Sequence, residues 1–241
     1  MSYDPSNSPS RSSSYAGGQA IDAGLQSYMR SIYNTMSLGL VITGGVAFGV
    51  SSMPDFMHFL FGTAMGWLFM LIVPLIVIFV GFSPARVARQ SAQQLKTTFF
   101  VYSVLMGLMF SSIFLIYTGE SIARVFFITA ATFGGTSLFG YTTRRDLTGM
   151  GSFMVMGLFG IIIASFVNFF MHSAMVQFVV SVAGVIIFTG LTAWETQGLK
   201  SVYRSGDDVS NSKMAILGAL NLYMSFINLF QFMLQLMGDR R

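Results

Sequence analysis

Residues 214–237 read MAILGALNLYMSFINLFQFMLQLM, an apolar run that also carries Asn221, Ser225, Asn228, Gln231 and Gln235. A helix needs about 20 predominantly apolar residues, at about 1.5 Å rise each, to cross a bilayer, and this run is long enough. Its polar residues are not scattered. At about 100° per residue from Asn221, Ser225 lies near +40°, Asn228 near −20°, Gln235 near −40° and Gln231 near −80°. All five fall on one arc of about 120°. An amide in hydrocarbon has no water to bond, so the arc is expected to face protein or a water-filled cavity. Two readings stay open: hydrogen bonds between helices, or one wall of a hydrophilic cavity.

Outward from this run the chain repeats the pattern. Further apolar blocks lie at 32–52, 63–83, 97–117, 121–141, 150–171 and 173–194, so the fold expected is all-α, with seven membrane spans and almost no soluble domain. Composition agrees. Only 9% of the 241 residues are charged and 54% are hydrophobic, against about 25% charged in a soluble domain. Mean hydropathy is +0.68. Pro74 falls inside the second block and is expected to kink that helix. Gly44, Gly45 and Gly49, Gly134 and Gly135, and Gly149, Gly151, Gly157 and Gly160 are expected to let helix backbones approach.

Residues 1–25 are rich in Ser and Gly, with Pro and Asn, and hold no apolar run, so a disordered cytoplasmic tail is expected there, ahead of a membrane domain over 26–241. Lys and Arg cluster on one side. Arg11 and Arg30 precede the first block, and Arg86, Arg89 and Lys96 follow the second. Arg144 and Arg145 follow the fourth, and Lys200, Arg204 and Lys213 follow the sixth. The basic excess therefore reads as topology, with the N-terminus cytoplasmic, and not as a nucleic-acid patch. Arg240 and Arg241 then lie outside if the last block crosses fully, which its length favours.

The chemistry of sites is sparse. Cysteine is absent, which excludes disulfides and thiolate nucleophiles. The two histidines, His58 and His172, stand near block ends, and no Asp lies inside a block. Neither a zinc-protease motif nor a phosphate loop is present. No enzyme and no cofactor is expected; the 18 Met and 25 Phe read as lipid-facing and core filling. The ionisable residues near membrane depth are Glu195, just after the sixth block, and Glu120 and Arg124, four residues apart and able to pair at the start of the fourth. Thr189, Thr192 and Glu195 share three-residue spacing, which suggests a polar lining.

Three stretches carry a family resemblance. They are ALNLYMSFINLFQFMLQLMG (219–238), LTAWETQGLK (191–200) and FGYTTRRDLTGMGSF (139–153). In this order they resemble the bacterial branch of the Bax-inhibitor-like (transmembrane Bax inhibitor motif) family. The resemblance implies a seven-helix bundle with the last helix central, wrapped by the other six, in the bacterial inner membrane. It also implies a pH-sensitive calcium leak controlled by two facing acidic residues and a basic partner from the second helix. Carried onto this chain, the first acid is Glu195 and the second is Ser225, which has no charge. A hydroxyl beside one carboxylate makes a weaker Ca²⁺ site than two carboxylates, and a simpler titration. Arg86 and Arg89 are both candidates for the basic partner. The expected site is Glu195 with oxygens from Ser225 and Asn228 at a pore mouth, open to Ca²⁺ or H⁺. The alternative implied by the family is a regulatory protein that binds an ATP-dependent membrane quality-control protease through the N-terminal tail.

Overall fold

In the computed structural model the described backbone covers residues 11–241, and the described side chains begin at residue 23. The helices are α1 (Arg11–Ser51), α2 (Pro54–Gly62), α3 (Ala64–Ile76), α4 (Pro84–Arg89), α5 (Ala92–Phe110), α6 (Ile113–Ile116), α7 (Gly119–Thr142), α8 (Thr148–Met171), α9 (Ala174–Val202) and α10 (Asp208–Met237). A π-helical turn, Val77–Gly81, continues α3. Among the described residues seven helical stretches are long and apolar enough to cross a membrane: Ala23–Ser51, Ala64–Gly81, Ala92–Ile116, Gly119–Thr142, Thr148–Met171, Ala174–Val202 and Asp208–Met237. The expected tail over 1–25 falls outside the described residues for 1–10; from Arg11 the backbone is helical and runs into the first span.

Local chemistry sets the helix starts. Ser91 and Gln94 form a reciprocal capping box at the start of α5. Thr118, Ser173 and Asp207 accept backbone N–H groups at the starts of α7, α9 and α10. Pro54 and Pro84 open α2 and α4, where a missing N–H costs nothing. Pro74 does not end its helix; the backbone continues and loosens to π geometry a few residues later, a common way to absorb a lost bond.

The last helix is central. Two thirds of the residues in its most apolar window (67%) are buried, more than in any other span. It packs chiefly against α1, α5, α7 and α9, while α3 packs on α5 and α8 packs on α9. The wrapping expected from six helices is therefore done mainly by four, with the second and fifth spans set outside them. Tyr223 anchors the centre. Its ring meets Phe99 and Tyr102 of α5 edge-on, and its hydroxyl is 2.6 Å from Thr43 Oγ1 of α1. Thr43 donates to the Ser103 carbonyl at 2.9 Å, so Tyr223 supplies the proton of the shorter bond.

α10 crosses fully. Its C-terminal residues are tied to the connection between α6 and α7: Thr118 N–H donates to the Asp239 carbonyl, Arg241 N–H to the Ile116 carbonyl, and Asp239 N–H to Ser121 Oγ. Arg124 pairs with Asp239 at 2.7 Å, and not with Glu120 as the four-residue spacing suggested. At the other end Lys213 Nζ donates to the carbonyls of Val87 and Ala88, Lys200 Nζ to that of Tyr141, and Gln197 Nε2 to that of Arg145. The basic connections thus gather at one end of the bundle, called here the basic end.

The glycines divide differently from the expectation. A Cβ on Gly44, Gly45, Gly49, Gly134, Gly135 or Gly160 would meet nothing. Gly149 is open too, whereas Gly151 and Gly157 do face Trp194 and Ile187. Close approach of backbones occurs elsewhere: at Gly140 a Cβ would stand 2.2 Å from the Ala193 carbonyl oxygen, and at Gly184 it would strike the Phe232 ring. Small residues at helical spacing allow contact; only the assembled bundle decides where contact occurs.

Candidate functional site

Glu195 lies inside α9, seven residues before its end at Val202, or about 10 Å along the axis. The sixth span was expected to stop at 194. It continues because its polar last turns have partners: Thr196 Oγ1 bonds Ser137 of α7, and Gln197 and Lys200 reach the α7–α8 connection and the end of α7. Glu195 is consequently a carboxylate within a membrane helix. It accepts a 2.7 Å hydrogen bond from Ser225 Oγ, and Ser225 is buried. The two positions brought together on the strength of the family resemblance therefore do meet.

A cavity of about 480 Å³ surrounds this pair between α8, α9 and α10. Asn221 and Asn228 line it from α10, and Asn228 Nδ2 donates to the Met224 carbonyl of its own helix at 2.8 Å. Leu158, Ile161 and Ser165 of α8 form the far wall. Thr192 does not line it. That side chain is fully buried and donates to the Phe188 carbonyl, so the lining expected from three-residue spacing is made by Leu191 and Phe188 instead.

The polar arc of α10 is only partly enclosed. Counted from Tyr223, which packs on α5, Gln231 lies at about +80°, Gln235 at about +120°, Asn228 at about +140° and Asn221 at about +160°. Ser225, which faces α9, follows at about +200°. The arc thus occupies the opening between α5 and α9. Asn221, Gln231 and Gln235 are exposed there and Asn228 is partly buried. The reason is the placement of α3 and α8 outside the inner four helices, which leaves this sector of α10 without a helix packed closely against it.

Toward the end opposite the basic one, the cavity stops at Phe188 and Phe232, whose rings stack at 5.8 Å. Beyond them lies a second polar group. Gln235 Oε1 accepts from Gln177 Nε2 and from Ser181 Oγ, the latter at 2.9 Å. Asn168 of α8 joins it through Gln177 and caps the start of α9 by accepting Ser173 N–H. Composition and spacing gave no reason to single out Gln177, Ser181 or Asn168. The one signal was that Gln235, on the arc, needed a partner at that depth.

Arg86 and Arg89 are not brought to Glu195. Both sit on the short α4, exposed at the basic end, because Ser83 and Pro84 break the chain out of the second span before them. The basic group that contacts α4 is Lys213, through backbone carbonyls. Among the described residues no cluster of three or more His, Asp and Glu could hold a metal ion. Any cation here would meet one carboxylate, the hydroxyls of Ser225 and Ser165, and two carboxamides.

Comparison with known proteins covers almost the whole described chain. Residues 25–241 match the family model described as "Inhibitor of apoptosis-promoting Bax1". An uncharacterized protein of Rickettsia prowazekii is 45% identical over 227 residues, covering 92% of this chain and 94% of the relative. The Escherichia coli K12 protein named inner membrane protein YbhL is 44% identical over 222 residues, covering 91% and 94%. An uncharacterized protein of Caulobacter vibrioides is 42% identical over 233 residues, covering 92% of each. With a seven-span bundle around its last helix and a family match from residue 25 to the C-terminus, this chain belongs to the Bax-inhibitor-like family of membrane proteins.

Proposed function

We propose that the chain forms a pH-sensitive cation leak, with Ca²⁺ as the favoured ion and Glu195 as its charged element. The observation that carries this reading is the Glu195–Ser225 hydrogen bond inside a cavity walled by Asn221 and Asn228. A carboxylate at membrane depth costs free energy unless it is hydrated, paired or protonated. In this cavity a cation supplies the pairing. The Ser225 hydroxyl is the competing partner, and it ties α9 to α10 while the cation is away. Ca²⁺ takes 6–8 oxygen ligands, so the protein oxygens here leave several positions for water. That suits a transient site along a path better than a tight store.

The excess of Lys and Arg at the basic end argues that this end, with the N-terminus, is cytoplasmic and in the bacterial inner membrane. Ions then reach Glu195 from the cytoplasmic half. The stacked Phe188 and Phe232 rings close the route to the Gln177–Gln235 group. Rotation of Phe232 away from Phe188 joins the two polar groups. Protonation of Glu195 removes the negative charge that draws the cation in, which gives the pH sensitivity.

The test is Ca²⁺ flux into proteoliposomes for wild type and Glu195→Gln over a range of pH. At least tenfold lower flux in the variant, with no remaining pH dependence, is expected. Equal flux at every pH would remove Glu195 from the mechanism. No flux from either protein, with co-purification of a membrane protease that is lost on deleting residues 1–25, would replace the leak with the regulatory reading.

A further inference from the structure

On the side of α10 away from Glu195, α1 and α7 do not pack along their length. They meet near the basic end, where Tyr33 Oη and Ser137 Oγ lie 2.6 Å apart. The bridge lies in the wall of a cavity of about 1320 Å³ that runs from Arg30 and Tyr141 past it to the stretch where the two helices diverge, larger than the roughly 300–1,000 Å³ of ordinary ligand pockets. Its floor is aromatic, made by Phe126 and Phe133 of α7 and Phe226 and Phe230 of α10. Its two walls carry glycines, Gly44 and Gly134, at which a Cβ would meet nothing. The opening is therefore not a packing seam left loose by bulky neighbours. It is a trough whose width the missing side chains enlarge.

The trough has one charged end. Arg30 lines it one turn before Tyr33, exposed, and among the described residues the one ion pair is elsewhere, between Arg124 and Asp239. From Arg30 to Gly44 is fourteen residues of α1, about 21 Å, which takes a chain from the headgroup level past the middle of a hydrocarbon core about 30 Å thick. A guanidinium at the mouth, an apolar aromatic trough behind it and side access from the membrane match one kind of molecule. A guanidinium recognises phosphate by paired N–H donors.

We propose that this trough binds an anionic phospholipid from the leaflet at the basic end, its phosphate held by Arg30 and one acyl chain laid between α1 and α7 over the phenylalanine floor. The site is independent of the Glu195 cavity and of any ion flux. Bound lipid replaces the helix contact that α1 and α7 lack, since an unfilled apolar gap forfeits dispersion contacts on both walls.

The full chain, reconstituted in vesicles of equal parts phosphatidylglycerol and phosphatidylcholine, is extracted in mild detergent, and retained lipid is read by native mass spectrometry. Wild type is expected to keep about one phosphatidylglycerol, in at least fivefold preference over phosphatidylcholine. Gly44→Leu with Gly134→Leu fills the trough from open space and is expected to lower retention at least tenfold. Gly160→Leu, at an equally open glycine on α8 outside the trough, is expected to retain lipid like wild type. Arg30→Gln, which leaves the walls intact, is expected to lose the preference for phosphatidylglycerol. Equal retention by wild type and the filled variant would mean lipid of the general annulus only and would overturn the site. So would a wild-type preference unchanged in Arg30→Gln, or a dimer mass without lipid, which would make a second copy the occupant.

Discussion

The two sides of α10 solve opposite problems. Toward α9 and the opening beside α5 it presents hydroxyl and carboxamide groups, with a carboxylate facing one of them. Toward α1 and α7 it presents Phe226 and Phe230 to a wide apolar trough. Both sides are incompletely covered, yet what each lacks differs. The groups of the polar side call for water or an ion as partners; the aromatic side calls only for bulk. A single membrane helix can therefore be central by burial and still serve two unlike environments, because its 3.6-residue period keeps the two sets of side chains apart.

The strongest test of this contrast is the pair of glycines Gly140 and Gly134, both on α7. At Gly140 a Cβ would collide with the Ala193 backbone at 2.2 Å, and at Gly134 it would touch nothing. Gly140→Ala must push α7 and α9 apart and is expected to cost about 1–3 kcal/mol or more. Gly134→Ala is expected to be neutral or to stabilise by up to about 1 kcal/mol through helix propensity. Thermal or denaturant unfolding in micelles separates them. Equal stability would mean that α7 is not held on α9 as described.

The second test compares aromatics on the two sides. Phe232→Ala removes one ring of the stack between the two polar groups, and a tenfold rise in Ca²⁺ flux is expected. Phe126→Ala, on the trough side, is expected to leave flux unchanged. Equal effects of the two would mean the route does not run along the polar side. A milder change sharpens the same point at Ser225. Ser225→Ala takes away the hydroxyl that competes for Glu195, whereas Ser225→Asp restores the facing acid of the family pattern. The first is expected to shift flux about two- to fivefold while keeping one pH transition. The second is expected to add a second transition, since facing carboxylates titrate as a coupled pair. A single unchanged transition in Ser225→Asp would show that the two positions do not share a site.

The spans were legible because 20-residue apolar blocks separated by charge have one physical reading. The arc on α10 was legible too, as angles on a wheel. Its direction was not. Whether Asn221 and Gln231 face protein or an opening depends on where α3 and α8 stack, and nothing local to α10 specifies that. The Glu195–Ser225 pairing came from the family resemblance, not from spacing, for the two lie thirty residues apart. Arg124 likewise found Asp239, 115 residues on, and not Glu120 a turn away, because the end of α10 returns to the start of α7. Glycine spacing misled for a related reason: Gly134 and Gly140 look alike in sequence, and only the neighbour across the gap distinguishes them.

The smallest effect belongs to the residue where both sides of α10 are tied to the rest of the bundle. Tyr223 is fully buried, and its hydroxyl bridges to Thr43 of α1 beside the Ser103 carbonyl of α5. Tyr223→Phe keeps the ring between Phe99 and Tyr102 and deletes that bridge alone. Interhelical hydrogen bonds in membrane proteins average about 0.6 kcal/mol and reach about 1.7, so the loss is expected within that range. Thr43→Val removes the other partner, and the double variant should cost less than the sum of the two, because the same bond cannot be lost twice. Additive losses would mean that Thr43 and Tyr223 act separately. The link from α10 to α1 would then rest on packing alone, leaving the Tyr33–Ser137 bridge to set the width of the trough beside it.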